Sequence, residues 1–181
     1  MFNSKVKLDT YNDHIEGVEQ RRKLRFRWYG PELHRGQGSL EAKHKKGFLG
    51  WKSTQAIQQP VVLEKTNWSE IQRLLQRESS EMFQEMLAVS RPFLINAYQR
   101  KYFVSSDGEV RLTLDYDMQG YDQSLSGIPN IDFRMPSRDL VIVEIKTPAD
   151  NYKELANVLS EFPLYPEAFS KYVEMSSKII E

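Results

Sequence analysis

The sequence predicts a single α+β domain in which antiparallel strands form most of the fold and helices cover them. Alternating polar and apolar residues recur in short segments, which is typical of strands with one buried face. The Asp107-Gly108 pair joins two such segments and is a strong hairpin signal. Helical apolar spacing is confined to the middle and the C-terminal end, and a chain of 181 residues suits one domain over residues 1–181.

The strands are predicted from alternation and from the turn residues between them. Gly30-Pro31 ends the first strand, and Pro148 ends the last. Residues 1–20 are polar, and we expect them to be irregular. Residues 119–138 contain Gly, Pro and Ser, and we expect them to form a loop or a ragged hairpin. The predicted strands are residues 21–29, 39–46, 48–53, 61–65, 93–105, 109–118 and 139–147.

The middle of the chain predicts a helix that begins at Asn67 or Ser69, either of which can cap it. A polar stretch at residues 78–81 divides this helix into two pieces, and Pro92 ends the helical region. Two further helices are expected near the C-terminus, over residues 151–161 and 166–179.

Composition narrows the classes of function. The 25 Lys and Arg residues balance the 25 acids, so the broad basic surface of a nucleic-acid-binding protein is not expected. The chain has no cysteine, which excludes thiolate metal sites and cysteine nucleophiles. No apolar run approaches the roughly 20 residues of a membrane span, and the N-terminus has no signal-peptide core. We therefore expect a soluble cytoplasmic protein with neither a membrane segment nor a nucleic-acid partner.

Successive side chains on a strand point to opposite faces, so each predicted strand can be sorted by face. Most strands then show a charged face opposite an apolar one. The positive charge is concentrated, because residues 21–52 contain ten Lys or Arg against two acids. The charged faces carry Arg21, Lys23, Arg25 and Arg27, then Glu41, Lys43 and Lys45, then Arg100 beside Tyr98 and Tyr102, then Arg111, Asp115 and Asp117, and finally Glu144 with Lys146.

Two interpretations of these charged faces are open. Charged strand faces in antiparallel sheets commonly meet water while the opposite faces meet the core. Four like charges in a row on residues 21–27, however, repel one another and stabilise nothing by themselves. The predicted helices also need apolar strand faces to cover, which would leave the charged faces pointing inward. Buried charges need partners, and a polyanion lying between the strands would supply them.

The residue types on these faces suit a phosphate ligand. Arginine presents a planar fork of donors that matches phosphate oxygens, and lysine adds a compact positive charge. A divalent metal that bridges phosphate oxygens needs a carboxylate, which Glu144 or Glu41 would provide. Asp115 and Asp117 either assist such a metal or form salt bridges with nearby cations. The three histidines lack metal-ligand spacing and are expected on the surface.

The order of the charged segments is more specific than any one of them. RRKLRFRWYG, LEAKHKKG, GWKS, AYQRKYF, EVRLTLDYD, VIVEIKT and EAFSKY resemble, in this order, the VTC domain, the polyphosphate-polymerase domain of the triphosphate-tunnel superfamily. The resemblance extends from Met1 to about Met175. It implies a tunnel-shaped antiparallel β-barrel with helices packed outside. It also implies synthesis of polyphosphate from ATP or another triphosphate, with a divalent metal, Mn²⁺ or Mg²⁺.

The resemblance assigns roles to individual residues. The terminal phosphate of the growing chain would be the nucleophile, so no protein nucleophile is required. Arg25, Arg27, Lys43, Arg100 and Arg111 match the cations that hold the triphosphate, Glu144 matches the metal-binding glutamate, and Lys171 matches a basic residue on the C-terminal helix that closes onto the tunnel. The resemblance also places Lys52, in GWKS, among the substrate contacts. From the charged faces we add Lys146 to the catalytic set, Lys23 as a further substrate contact and Glu41 as a second metal ligand.

The sequence departs from the family pattern at its start. The family begins with a helix and a strand that carries a tunnel lysine, whereas Met1-Phe2-Asn3 resembles the tail of the segment that follows. The resemblance therefore predicts that the first strand is missing and that a strand edge is left unpaired. Gln55 and Ala168 stand where some relatives carry lysines. A triphosphate hydrolase, and a non-catalytic binding module for polyphosphate or an inositol phosphate, are the alternatives to a polymerase.

Overall fold

The computed structural model describes residues 2–4, 20–47, 49–148, 152–161, 167 and 169–180. Within these residues the chain is an α+β arrangement of antiparallel sheets and helices. The strands are β1 (Phe2–Ser4), β2 (Gln20–Trp28), β3 (Arg35–Gly36), β4 (Gly38–Lys46), β5 (Leu49–Ala56), β6 (Val61–Val62), β7 (Ser90–Pro92), β8 (Leu94–Val104), β9 (Arg111–Asp122) and β10 (Ile142–Lys146). The helices are α1 (Trp68–Glu78), α2 (Glu81–Ala88), α3 (Tyr152–Ser160) and α4 (Lys171–Ile180).

The first sheet contains the basic segment identified in the sequence. Its strands follow the order β5-β4-β2-β1-β7. Arg25 of β2 lies opposite Glu41 of β4, which lies opposite Thr54 of β5. Directly opposed residues of neighbouring strands share a face, so this register places the charged faces of β2 and β4 on the same side of the sheet.

A short strand beside β2 occupies part of the segment expected to be irregular. Phe2–Ser4 forms β1 and pairs with all three residues of β7. Its one register partner on β2 is Leu24, opposite Phe2. The expectation for residues 1–20 was therefore wrong at β1, because three residues are too few to show an alternating pattern. Residues 5–19 lie outside the described part of the chain.

The second sheet has three strands in the order β10-β9-β8. The predicted Asp-Gly hairpin between β8 and β9 is confirmed, with Gly108 at a φ of 79° in the turn. Strand β9 runs past its predicted end at Met118, because its last residues pair with the start of β8 and Asp122 lies opposite Leu94. Strand β10 begins at Ile142 rather than at residue 139.

Helices α1 and α2 pack on the apolar face of the first sheet. The helical region divides after Glu78, as predicted, and Asn67 caps α1 in a reciprocal pair of hydrogen bonds with Glu70. Helix α2 ends at Ala88 because the next residues join the sheet as β7, so the predicted end at Pro92 was wrong. The second sheet also contributes to this core, through Ile95 of β8 and Tyr121 of β9. The buried residues of the core are Leu24, Leu40, Ala42, Ile57, Val61, Leu63, Ile71, Leu75, Phe83, Leu87, Ile95 and Tyr121.

Helix α4 packs on the second sheet, on the charged face rather than on the apolar face that we expected the helices to cover. A Cβ atom at Gly120 would lie 2.8 Å from Sδ of Met175. The missing side chain therefore lets α4 approach β9 closely. The helix begins at Lys171 rather than at residue 166. A second apolar cluster joins it to the sheet through Phe93, Leu94, Met118, Tyr172 and Met175.

The sheets do not close into one barrel in the described residues. The first and second sheets have separate strand orders, and β3 pairs with β6 in a further two-stranded sheet. The closed tunnel that the resemblance implies is therefore not found there. Among the same residues, every helix is too short or too polar to cross a lipid bilayer.

Replacing Leu75 of α1 by Ala tests whether burial of this apolar face holds the helices. Leu75 is completely buried, so Leu75→Ala should lower the free energy of unfolding by about 2–5 kcal/mol. Leu49 of β5 is 74% exposed, and Leu49→Ala should change that free energy by less than about 0.5 kcal/mol. Urea unfolding followed by circular dichroism measures both. Equal losses in the two variants would contradict this layer arrangement.

Candidate functional site

A buried carboxylate organises the cations of the first sheet. Glu41 of β4 has only 7% of its side chain exposed. Its Oε2 accepts a hydrogen bond from Nε of Arg25 at 2.5 Å, and its Oε1 accepts one from Nζ of Lys52 at 2.7 Å. Arg27 approaches the same carboxylate, with Nε 3.8 Å from Oε2. Three cations predicted from the sequence, on β2 and β5, thus converge on one acid of β4.

This environment keeps Glu41 ionised. Burial by itself raises the pKa of a carboxyl group, because it disfavours the charged form. At Glu41 burial is outweighed by the hydrogen bonds from Lys52 and Arg25 and by the charge of Arg27, which together hold its pKa below the ordinary value. The first sheet therefore carries a fixed negative charge among its cations.

A second buried carboxylate lies on the second sheet. Asp115 is completely buried, and of its two predicted roles the structure shows the salt bridge. Arg100 donates from Nε to Oδ1 at 2.5 Å and from Nη2 to Oδ2 at 2.6 Å. Nζ of Lys171 lies 2.6 Å from Oδ2. Burial opposes ionisation of Asp115, but these two cations lower its pKa, and Asp115 in turn raises the pKa of Arg100.

Tyrosine rings flank the guanidinium of Arg100. Its central carbon lies 5.3 Å from the ring centre of Tyr98 and 5.6 Å from that of Tyr102. Nζ of Lys171 lies 5.1 Å from the ring centre of Tyr98. Cations are attracted to the faces of such rings, so the rings help to set where both cations lie.

Glu144 of β10 extends this group toward the surface. Its Oε1 lies 2.8 Å from Nζ of Lys146, and its Oε2 lies 3.9 Å from Nη2 of Arg100. The side chain is 41% exposed. Partial burial opposes its ionisation, but Lys146, Lys171 and Arg100 lower the pKa of the carboxyl. Glu144 is therefore an ionised carboxylate that solvent can reach.

Helix α4 contacts the charged faces of both sheets. Its first residue, Lys171, pairs with Asp115 of the second sheet. The next residue, Tyr172, has its ring centre 4.1 Å from Nζ of Lys23 on β2. Lys23 lies opposite Lys43 in the register, two places from the pair of Arg25 with Glu41. Both sheets therefore turn their charged faces toward this helix, and burial raises the pKa of Tyr172 to about 12.

Two predicted cations have no ion-pair partner among the described residues. Lys43 is exposed and lies between Lys23 and Lys52 in the register. Arg111 is exposed and lies opposite Lys146. Like charges directly opposite one another are destabilising. An anion bound at these positions would relieve that repulsion.

The structure groups the predicted site residues by sheet. Glu41 and Glu144, the predicted metal ligands, lie on different sheets, and each pairs with cations of its own sheet. No group of three His, Asp or Glu side chains suited to a metal occurs in the part of the chain that is described. The side chain of Arg21, and all of Ala168, lie outside that part. The first sheet carries Lys23, Arg25, Arg27, Glu41, Lys43 and Lys52, and the second carries Arg100, Arg111, Glu144 and Lys146, with Lys171 added by α4.

Two sequence expectations were wrong. Asp117 was expected on the face of Asp115, but it adopts a φ of 50° where the register of β8 and β9 shifts. Of its two predicted roles the structure shows the salt bridge, with Oδ1 3.8 Å from Nη2 of Arg134. His44 was expected on the surface, but it is buried against Trp51, with ring centres 5.0 Å apart. Alternation alone does not reveal a register shift or a cross-strand ring stack.

The model of the VTC domain family matches residues 5–179, nearly the whole chain. The chain belongs to the VTC domain family. The predicted resemblance is thereby confirmed, and membership indicates a polyphosphate-related function for this VTC domain. Neither the curated proteins nor the solved structures include a match.

The lowered pKa of Glu41 predicts an acid-sensitive contribution to the stability of the VTC domain. A carboxyl whose pKa is lower in the folded chain stabilises the fold above its unfolded pKa, about 4.3 for Glu, and this contribution is lost as pH falls through the folded value. Glu41→Gln should lower the free energy of unfolding at pH 7 by about 1 kcal/mol, because Arg25 and Lys52 remain partly solvated.

Urea unfolding at several pH values measures this contribution. The difference between the wild type and Glu41→Gln should shrink steadily below about pH 4. Glu85→Gln, at an exposed position of α2, is the control and should follow the wild type at every pH. A difference between the wild type and Glu41→Gln that stays constant down to acid pH would contradict the lowered pKa.

Proposed function

We propose that this VTC domain binds a triphosphate or polyphosphate chain between its charged faces and transfers phosphoryl groups from ATP or another nucleoside triphosphate to polyphosphate. The contact of α4 with both faces carries the proposal, since Tyr172 lies against Lys23 and Lys171 pairs with Asp115. Cations of two sheets and a helix then face a common region. A cytoplasmic location, where nucleoside triphosphates are available, is part of the proposal.

The charged faces keep an excess of positive charge after their internal pairing. On the first sheet Glu41 is the one acid among five predicted site cations. Among the predicted site residues of the second sheet and α4, four cations accompany the two acids Asp115 and Glu144. These cations are Arg100, Arg111, Lys146 and Lys171. The chain as a whole is neutral, so this excess is local. A local excess of one sign raises the concentration of the opposite ion, and a polyphosphate carries such charge at every phosphate.

The layers of the fold support an interior position for the ligand. Helices α1 and α2 cover the apolar face of the first sheet, so its charged face points away from that core and toward α4. A tunnel that encloses the phosphate chain between the two sheets is the arrangement that we propose for the complete site. Phosphoryl transfer asks the protein mainly to hold phosphates in position and to neutralise their charge, which Arg and Lys side chains from several strands can do.

A divalent metal, Mn²⁺ or Mg²⁺, belongs to the proposed reaction. Glu144 fits as a ligand because its carboxylate is ionised and partly exposed. Glu41 fits less well, because both of its oxygens already accept hydrogen bonds from cations. Mg²⁺ is commonly bound by one or two carboxylates together with phosphate oxygens and water. When bound, the metal would neutralise phosphate oxygens, while the Arg and Lys side chains hold the chain in line.

A non-catalytic binding module for polyphosphate or an inositol phosphate is the second candidate. The engagement of Glu41 by cations favours it, since one of the two predicted metal ligands is then occupied. A triphosphate hydrolase would use the same faces as the polymerase and would differ in product. Binding and turnover experiments separate the three functions.

Charge reversal on opposite faces of one strand tests the binding face. Lys43 and Lys46 are both exposed on β4, and their odd spacing places them on opposite faces. Lys43→Glu should weaken the binding of tripolyphosphate by about tenfold or more, a loss of about 1.4 kcal/mol per factor of ten. Lys46→Glu should change the affinity by less than about twofold, as expected at an exposed position that does not contact the ligand.

Isothermal titration calorimetry at a fixed, low salt concentration measures these affinities. Arg111→Glu repeats the test on the second sheet, and Lys101→Glu, exposed on the opposite face of β8, is its control. Equal effects of Lys43→Glu and Lys46→Glu on the affinity for tripolyphosphate would contradict binding of the phosphate chain at the face that carries Lys43.

The polymerase proposal is tested by the product formed from ATP and Mn²⁺. The wild type should produce polyphosphate chains that lengthen with time on a polyacrylamide gel. Glu144→Gln should keep its affinity for tripolyphosphate but lower synthesis by at least about tenfold, whereas the exposed hairpin variant Glu109→Gln should match the wild type. Release of orthophosphate without chain growth would identify a hydrolase. Tight, metal-independent binding without turnover would identify the non-catalytic module.

A further inference from the structure

We propose that Asp115 is a positioning residue that holds Arg100 and Lys171 in the orientation in which they contact the phosphate chain. The inference rests on the proposed binding of phosphates and deepens it. Asp115 is a fully buried carboxylate that accepts hydrogen bonds from Arg100 and pairs with Lys171. It is the acid shared by a cation of β8 and a cation of α4.

Arg100 is restrained from several sides. Asp115 engages Nε and Nη2, which is a two-point contact that sets the plane of the guanidinium as well as its position. The rings of Tyr98 and Tyr102 flank the same group. The hydrogen bonds to Asp115 do not use Nη1, and the side chain keeps 19% of its surface exposed. Under the proposal, an incoming anion contacts this oriented guanidinium through the donors that Asp115 does not use.

Lys171 depends on Asp115 for a different reason. It is the first residue of α4, and a positive charge is disfavoured near the N-terminus of a helix, where the helix dipole is positive. The 2.6 Å contact with Oδ2 of Asp115 compensates for this placement. The same contact draws the first turn of α4 onto β9, where Met175 also packs against Gly120. Asp115 thus places the helix that contacts both charged faces.

Charge alone predicts the opposite effect for Asp115. A negative charge beside an anion site repels the anion, so removing it should strengthen the binding of a polyphosphate. If Asp115 acts by orienting two cations, its removal should weaken binding, because misplaced donors no longer match the phosphate oxygens. The direction of the change in polyphosphate affinity therefore distinguishes an acid that orients the two cations from one that only repels the anion.

The direct test replaces Asp115 by Asn, which keeps the shape and removes the charge. Asp115→Asn should weaken tripolyphosphate binding by about tenfold, measured by calorimetry on the full chain without metal. Asp117→Asn is the matched control, because Asp117 is an acid on the same strand whose nearest cation, Arg134, is 3.8 Å away. Asp117→Asn should leave the affinity unchanged or slightly raise it.

A second readout reports on orientation without any ligand. The ¹⁵N–¹H NMR signal of the guanidinium Nε of Arg100 should be observable in the free wild type, because its proton is hydrogen-bonded to Asp115. The signal is assigned by its loss in Arg100→Gln. In Asp115→Asn this signal should disappear or shift toward that of a solvated arginine. In Asp117→Asn it should stay in place.

A third variant keeps the test decisive if Asp115→Asn alone does not fold. Removing both charged partners of a buried pair is tolerated better than removing one. The double variant, which carries Arg100→Gln and Asp115→Asn, is therefore compared with the single variant Arg100→Gln. Lys171 still needs Asp115 in this background, and adding Asp115→Asn should weaken binding further. Tighter tripolyphosphate binding on removal of Asp115, in either background, would overturn the positioning role. A wild type that does not bind tripolyphosphate would instead overturn the proposed function, and the positioning role with it.

Discussion

The pairing of Arg100 and Lys171 with buried Asp115 is the interaction on which the site depends most. It joins the hairpin of β8 and β9 to α4, which lies much later in the chain. Placing several charges out of water is costly unless they neutralise one another with good geometry, and the two-point contact from Arg100 provides that geometry. Because Lys171 begins α4, the same pairing sets where the helix meets the sheet.

The first sheet uses the same device with a different acid. Glu41 is buried among Arg25, Arg27 and Lys52, and its charge keeps these side chains together despite their mutual repulsion. Lys23, next along the same face of β2, meets α4 at Tyr172. The two sheets thus present cations organised by a buried carboxylate toward one helix. This arrangement agrees with the polyphosphate-related function of the VTC domain family, since a phosphate chain needs many positive groups held in fixed places.

Much of the composition of the charged faces was predictable because strand alternation is a simple rule. Sorting residues by parity placed Arg25, Glu41 and Lys43 on a common face, and the register of β2 with β4 agrees with it. The rule failed where the backbone departs from regular pleating. Asp117 left the face of Asp115 at a register shift, and β1 was too short to show a pattern. Such departures depend on how a segment pairs with another strand, which the alternation within the segment does not contain.

The sequence by itself determined which residue types alternate along each strand, where the Asp-Gly hairpin turns, and that positive charge is gathered on single faces. These are local properties of neighbouring residues. Only the tertiary structure decided that α4 packs on a charged face instead of an apolar one, and that Asp115 is the acid that holds Lys171. Those contacts join residues far apart in the chain, and they form because each charge taken out of water must find a partner in space.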